Sequence, residues 1–317
     1  TRHIIDEFEK SHPLNSIFPV DPTQRFISCL LEAWGDEFWI PMAMHWRWSF
    51  QFSKNEEFFR NEAGKNLLPY FPNFLQNMAA SKPADTLRVF LPVVGVVPSQ
   101  YEMIENWTTN MLDLLEIHFE SHDFLLGNSP TIGDFGMVGP LIPHLSRDPH
   151  PKEHLLNNDR YPHVCGWIDR MSNPGNTIKD IENDGIPATL TPILNHVFKE
   201  FIPMVEKMIP FVDKLKQNPK FYNECGGVNV SKKTLPRRLD DVKVPLYVNK
   251  SMIDSEEYIR ATLPFNVYKM QIILDEYDKM NDHDKMDVKM YLDQFNSGIL
   301  DMVIPRLKRV NVRIGLV

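Results

Sequence analysis

The sequence has few of the residues that cross-link small or secreted proteins. Its 317 residues include three cysteines, Cys29, Cys165 and Cys225, which lie far apart along the chain. This spacing excludes a disulfide framework and a CxxC-type zinc site, and it favours a reducing compartment. We therefore expect a cytoplasmic protein, with the mitochondrial matrix as the alternative.

Two classes of partner are disfavoured by what is missing. Lysine and arginine number 34 against 42 for aspartate and glutamate, a net charge of −8, and no strongly basic cluster occurs, so we expect no nucleic acid partner. The longest apolar runs, residues 90–97 and 135–145, contain proline and glycine. Both are shorter than the roughly 18 residues that a membrane-spanning helix needs, so we expect no membrane span.

The chain also lacks the local motifs of common enzymes. It contains no G-x-S-x-G turn, no glycine-rich phosphate loop, no dinucleotide fingerprint and no HExxH metal motif. His144, His150, His154 and His163 are spaced only loosely like metal ligands, so we interpret them as structural or solvated. The sequence thus predicts no catalytic residue, no metal and no cofactor bound by this chain itself.

Apolar periodicity and prolines predict a mostly helical chain. Apolar side chains recur at helical spacing in residues 22–52, 99–118, 131–145, 161–171 and 190–215. Asp21 followed by Pro22 is typical of a helix start, and Pro41 should bend or interrupt the first helix.

A polar segment at residues 218–245 is the clearest change in composition, and we interpret it as an exposed connector. Residues 255–280 and 284–295 return to helical spacing, and residues 310–316 alternate with period two, which predicts a short strand. The predicted division is a linker at 1–20, a helical domain at 21–217 and an extension at 218–317 that packs on it.

The most specific local pattern is the sequence Thr131-Ile-Gly-Asp134, which begins an almost uncharged helix. The Thr131 hydroxyl can accept a hydrogen bond from the Asp134 amide, and the Asp134 carboxylate can reach back to the Thr131 amide, as in a capping box. A helix that is apolar on all sides is typically central and buried. Thr131 and Asp134 are therefore predicted to define the fold and to carry no chemistry.

A second pattern is a run of aromatic residues in the first helical segment. The candidate residues for a hydrophobic cleft are Trp34, Trp39, His45, Trp46 and Arg47. In this interpretation the tryptophans form the wall of a ligand site, and His45 or Arg47 supplies a polar contact. The alternative is an aromatic core in which Arg47 is stacked or is paired with Asp36 or Glu37.

The Thr131 pattern resembles the C-terminal domain of the glutathione transferase family. The resemblance extends over most of the chain, through residues 4–9, 21–39, 139–149, 162–171, 236–239 and 260–271. It implies an all-α fold: a glutathione-transferase C-terminal-like helical bundle with a mostly helical C-terminal extension and a short terminal strand.

The resemblance also implies how function would be divided. Family members bind glutathione and activate its thiol in an N-terminal thioredoxin-like domain, and this chain begins where that domain would end. We therefore expect that domain to be absent and the chain alone to be inactive, with glutathione as co-substrate only where the missing domain is present. The helical domain would supply the hydrophobic co-substrate wall around Trp34 to Trp48, together with subunit contacts in a homodimer or a larger assembly.

Two other hypotheses remain open at this point. The chain could be a non-catalytic, transferase-like subunit or scaffold in a larger assembly. It could also carry an apolar small molecule in a cleft lined by the tryptophans, in which case hydrophobic ligands would quench tryptophan fluorescence and Trp46→Ala would abolish the effect.

Overall fold

The computed structural model describes residues 2–12, 16–50, 54–173, 181, 185–217, 247–310 and 313–316. The connector predicted at residues 218–245, with Cys225 inside it, lies outside these residues. The domain boundary predicted at residue 218 therefore stays a prediction.

Helices form most of the described chain, so the all-α expectation is confirmed. Before residue 218 the helices are α1 (Arg2–Ser11), α2 (Pro22–Glu37), α3 (Ile40–Trp48), α4 (Asn55–Leu67), α5 (Asn73–Val89), α6 (Tyr101–Ser121), α7 (Ile132–Pro140), α8 (Pro149–His154), α9 (Pro162–Ser172), α10 (Thr191–His196) and α11 (Ile202–Gln217). Helix α7 continues into a π-helical segment, Leu141–Ser146, and a second one, Val197–Phe201, joins α10 to α11.

The extension contains strands β1 (Tyr247–Ile253) and β2 (Glu256–Thr262), helices α12 (Pro264–Asp278) and α13 (Asp282–Asp293), and strands β3 (Leu307–Val310) and β4 (Arg313–Leu316). Strands β3 and β4 pair antiparallel, so the predicted terminal strand is one half of a hairpin. No helix among the described residues is long and apolar enough to cross a bilayer.

The first predicted helix boundaries agree with the structure. The Asp21 carboxylate caps α2 by accepting from the Gln24 amide at 2.8 Å. Helix α2 ends at Glu37 and α3 begins at Ile40, so the helix is interrupted just before Pro41, as expected.

Helices α2 and α7 cross at the centre of the body with their backbones in contact. A Cβ atom on Gly35 would lie 2.7 Å from the carbonyl carbon of Gly136, and one on Gly136 would lie 2.5 Å from the Cα atom of Glu32. No real Cβ atom comes this close to backbone. Only glycine at both positions therefore allows this crossing.

The prediction of a continuous helical segment from residue 255 is wrong in its first part. Strand β2 occupies Glu256–Thr262 and pairs antiparallel with β1, and α12 begins only at Pro264. Asp254 and Ser255 form the tight turn at φ values of +46° and +69°, a conformation that a right-handed helix does not contain.

Tertiary hydrogen bonds account for this preference. The outer edge of β2 pairs with the loop before α6, where the Ala261 amide donates to the Val93 carbonyl at 2.8 Å. The Gln100 side chain bonds both the amide and the carbonyl of Ile259, at 2.8 and 2.9 Å. These contacts satisfy backbone groups that a helix would have satisfied internally, so local spacing did not decide the outcome.

A buried ion pair joins the extension to α2. The Lys269 ammonium, on α12, lies 2.6 Å from Glu32 Oε1 and 2.7 Å from Asp36 Oδ2. Burial alone lowers the pKa of Lys269, but the two carboxylates outweigh it and the net shift is upward. Lys269 is therefore held in its charged form between two turns of α2.

A second buried cation covers the C-terminal end of α2. Arg260, on β2, donates to the carbonyl oxygens of Phe38 at 3.0 Å and Glu37 at 3.1 Å. The last carbonyls of a helix have no partner within the helix, and the helix dipole favours a cation there. Arg260 satisfies both requirements.

The Glu37 side chain is enclosed at the same junction. Asn266 Nδ2 donates to its Oε2 atom at 3.3 Å. Burial raises the pKa of Glu37 to about 7, against the opposing charge of Lys269. Glu37 consequently titrates near neutral pH.

The backbone contact between α2 and α7 at Gly35 and Gly136 predicts different effects on stability when two glycines of α7 are replaced by alanine. Gly136→Ala should lower the free energy of unfolding by about 3 kcal/mol, because the added methyl group meets the α2 backbone, which cannot move aside. Gly139 has no atom within 4 Å of its ideal Cβ position. Gly139→Ala should therefore be neutral or stabilising by up to about 1 kcal/mol. Urea denaturation of both variants measures this, and equal losses would contradict the crossing.

The raised pKa of Glu37 predicts a pH-dependent stability. A carboxyl group whose pKa is higher in the folded state stabilises the fold fully below its unfolded value, 4.5, and loses this contribution as the pH rises through about 7. Glu37→Gln should therefore raise Tm by a few degrees at pH 8 relative to its effect at pH 5. The exposed Glu57→Gln is the control. A Tm change in Glu37→Gln that is equal at both pH values would contradict the raised pKa.

Candidate functional site

The structure places Thr131 and Asp134 in a capping box at the start of α7. Thr131 is the N-cap residue and has an extended backbone conformation. The Asp134 carboxylate, through Oδ2, accepts from the Thr131 amide at 2.9 Å and from its hydroxyl at 3.1 Å. These bonds fix where the central helix begins.

The other carboxylate oxygen of Asp134 has partners that the sequence did not indicate. Oδ1 accepts from the Leu125 amide at 3.0 Å and from the Trp167 indole at 2.9 Å. Burial raises the pKa of Asp134, and these hydrogen bonds oppose the shift. One fully buried carboxylate thus holds together the loop before α7, α7 itself and α9. Trp167 lies 33 residues further on, so no local pattern could reveal the contact.

Trp34 and Trp39 lie in the hydrophobic core. Both are fully buried, and their rings pack edge to face with centroids 5.6 Å apart. The Trp107 ring contacts both of them, at 6.3 and 5.0 Å. Trp46 is 7% exposed and stacks on Phe50 at 5.0 Å. This geometry favours the alternative of core packing over an open cleft wall.

His45 is also directed inward. Its Nε2 atom lies 2.9 Å from Glu105 Oε1, and its ring contacts Tyr101 with centroids 4.5 Å apart. Burial lowers the pKa of His45, although Glu105 opposes the shift. The side chain is fully buried, so it contacts protein groups in this conformation.

Arg47 is paired, but with neither of the partners considered from the sequence. Its Nε and Nη2 atoms donate to the two carboxylate oxygens of Asp148 at 2.6 and 3.0 Å, and Nη2 also donates to the Pro143 carbonyl at 2.6 Å. Of the alternative drawn from the sequence, the pairing with Asp36 or Glu37 is therefore wrong, but the stacking is found: the Arg47 guanidinium lies 5.7 Å from the centroid of the Phe59 ring. Asp148 lies 101 residues along the chain, beyond the reach of a helical spacing argument.

Potential metal ligands occur in two groups within the part of the chain that the structure describes. They are His196, Glu200 and Asp254, and His283, Asp284 and Asp287. The histidines between residues 144 and 163 form no such group there. In particular, His144 is enclosed, and burial together with the charge of Arg47 lowers its pKa to about 3.

The first of these groups is already joined by hydrogen bonds. Glu200 accepts from His196 Nδ1 at 2.9 Å, from the Asp254 amide at 3.0 Å and from the Trp107 indole at 2.9 Å. Burial lowers the pKa of His196, but the bond to Glu200 outweighs it and the net shift is upward. These hydrogen bonds attach the β1–β2 turn to α10 and α6.

An apolar groove of about 320 Å³ lies between α1 and the start of α7. Its lining residues are Ile5, Phe8, Glu9, His12, Ile17 and Phe135. Phe8 and Phe135 are 63% and 42% exposed. Hydrogen bonds position both walls: Glu9 accepts from the Ile17 amide at 3.0 Å, and the Ile17 carbonyl accepts from the Ile132 amide at 3.0 Å.

The two described cysteines are poor nucleophiles. Cys29 is buried, and burial, with the nearby carboxylates of Glu116 and Asp169, raises the pKa of Cys165 to about 11. A thiol reacts as its thiolate, which is scarce under these conditions.

Comparison with known families identifies the central part of this fold. Residues 98–174 match the family model of the glutathione S-transferase C-terminal domain. The matched segment includes α6, α7 and α9, and therefore all the groups that bind Asp134. This match supports, over residues 98–174, the resemblance to the glutathione S-transferase C-terminal domain that the sequence implied. No curated protein and no solved structure matches the chain.

Removal of the Asp134 carboxylate should lower the free energy of unfolding by more than the loss of a helix cap alone. The capping box alone predicts about 1–2 kcal/mol for Asp134→Ala. Since four buried donors lose their acceptor, we expect a loss of about 3 kcal/mol or more in the free energy of unfolding. Trp167→Phe, which removes one donor and keeps the ring packing, should cost about 1–2 kcal/mol. Thermal melting of both variants tests this. An Asp134→Ala variant that melts like the wild type would disprove the assignment.

Proposed function

We propose that this chain is the helical domain of a glutathione-transferase-like protein, and that the groove between α1 and α7 receives an apolar co-substrate. The observation that carries the proposal is the position of Phe135. It is an exposed aromatic residue that directly follows the buried Asp134, within the segment that matches the family. A concave, mostly apolar surface with a few polar groups is the usual form of a small-molecule site.

The proposal places the co-substrate wall away from the tryptophans. Trp34, Trp39 and His45 are enclosed, whereas Phe8 and Phe135 face the groove. Glu9 and His12 provide polar groups at its edge. We therefore assign the hydrophobic contact to the groove and a packing role to the aromatic cluster.

Under this proposal the thiol chemistry belongs to a thioredoxin-like domain, with glutathione as co-substrate. Activation of a thiol requires a group that lowers its pKa. Among the described residues, Cys29 is buried and Cys165 has a raised pKa, which supports the division. Subunit contacts in a homodimer are part of the same proposal.

A non-catalytic, transferase-like subunit is the second candidate. The closed packing of Trp34 and Trp39 favours it, because the tryptophans predicted as a cleft wall are instead used for core packing. Measurement of conjugation by the intact protein distinguishes the two candidates.

We predict that the intact protein conjugates glutathione to an apolar aryl halide. Phe135→Ser should raise KM for the halide about tenfold, since it removes an aromatic surface that the bound halide would cover. KM for glutathione should stay unchanged. Ile117→Ser, at an exposed apolar residue on α6, is the matched control. An unchanged halide KM in Phe135→Ser would remove the groove from the proposal. No conjugation, together with a stably copurifying partner, would favour the structural subunit.

A further inference from the structure

Three side chains of the types that ligate metal ions meet where the β1–β2 hairpin contacts the helices. His196 ends α10, Glu200 lies in the π-helical segment Val197–Phe201, and Asp254 lies in the turn between β1 and β2. Their ligand atoms all lie within 4.8 Å of one another. Asp254 is 54 residues from Glu200, so no sequence motif indicated the group. We call these three residues the turn cluster.

The spacing of the ligand atoms in the turn cluster fits a tetrahedral metal ion. His196 Nδ1 lies 2.9 Å from Glu200 Oε1 and 3.7 Å from Asp254 Oδ1. Zinc binds histidine nitrogen and carboxylate oxygen at about 2.0–2.2 Å, and tetrahedral angles then place two ligand atoms about 3.4 Å apart. The two measured distances lie on either side of this value. One zinc ion can therefore contact all three side chains and keep its fourth position for water.

Hydrogen bonds from neighbouring groups orient the carboxylates of the turn cluster. The Trp107 indole donates to Glu200 Oε2 at 2.9 Å, and the Asp254 amide donates to Glu200 at 3.0 Å. Asn110 Nδ2 donates to Asp254 Oδ1 at 3.4 Å. Outer hydrogen bonds of this kind hold the ligands of protein metal sites in position. Glu200 is buried, whereas the His196 and Asp254 side chains are 19% and 32% exposed, so an ion can enter from solvent.

The charges at the turn cluster favour a divalent cation. A histidine that ligates a metal is neutral, so Glu200 and Asp254 then leave the cluster with two negative charges. Glu256 adds a negative charge near Asp254, and Lys199 adds a positive charge near His196. These two further charges offset each other. A divalent cation therefore neutralises the cluster.

We propose that the turn cluster binds a zinc ion through His196 Nδ1 and the carboxylates of Glu200 and Asp254. A mixed set of nitrogen and oxygen ligands suits zinc, whereas magnesium and calcium prefer oxygen ligands alone. On binding, the proton that joins His196 to Glu200 passes to solvent, and the metal takes its place. The ion then ties the β1–β2 turn to the helical segment before residue 218, so zinc stabilises the attachment of the extension.

The second group of potential ligands provides an internal comparison. His283 Nδ1 lies 3.9 Å from Asp284 and 3.2 Å from Asp287, so the spacing of the ligand atoms is similar. All three side chains lie on α13, however, and His283 is 84% exposed. Fixing exposed side chains costs conformational entropy, which the buried and hydrogen-bonded Glu200 has already lost. We therefore expect zinc to bind the turn cluster more tightly.

The test is isothermal titration calorimetry of the chelator-treated full chain with zinc chloride. His196→Gln and Asp254→Asn should each weaken zinc binding about tenfold or more, since each removes one ligand. Asparagine tolerates the φ of +46° at residue 254, so Asp254→Asn keeps the turn. His283→Gln is the matched control and should bind zinc like the wild type. Circular dichroism establishes that each variant folds.

Two further measurements separate the turn cluster from other zinc ligands. Zinc should raise the Tm of the wild type and of His283→Gln, and should raise that of Asp254→Asn much less. Cobalt in place of zinc should give the visible absorption of a tetrahedral site without the charge-transfer band of a cysteine ligand. The proposal is overturned if the wild type binds no zinc, if His196→Gln and Asp254→Asn bind it as tightly as His283→Gln, or if cobalt reveals a cysteine ligand.

Discussion

A single buried negative charge organises the centre of this protein. The Asp134 carboxylate has no contact with solvent, and its four hydrogen bonds come from the loop before α7 and from α9. A buried carboxylate without donors would be costly, so those segments must come together for the fold to form. Helix α7 is then set in place, and the glycine crossing with α2 follows from its position. The match to the glutathione S-transferase C-terminal family covers this same region.

Helix α2 links that centre to the extension. One of its faces crosses α7, Glu32 and Asp36 hold Lys269, and its last carbonyls bind Arg260. The extension therefore supplies the cations that the end of α2 needs. Removing either cation would take away a charge-assisted partner of α2, so the two parts of the chain stabilise each other.

Hydrogen bonds between residues close in the sequence were predictable from the sequence, and those between distant residues were not. The cap at Asp21 and the Thr131–Asp134 pair use atoms a few residues apart, so their spacing alone indicated them. The Arg47–Asp148 pair depends on a fold that brings distant segments together. Helical periodicity in the aromatic run predicted a buried stripe or a cleft wall equally well, because both need apolar residues on one face. The β1–β2 hairpin was missed because its edge is stabilised by a loop more than 150 residues earlier.

The raised pKa of Cys165 affects how this residue reacts with electrophiles. With a pKa of about 11, the Cys165 thiol is almost entirely protonated at pH 7. Cys29 is shielded by the core. Electrophiles that reach these two sulfur atoms should therefore alkylate them slowly. The same burial that makes these cysteines poor nucleophiles would protect them from alkylation.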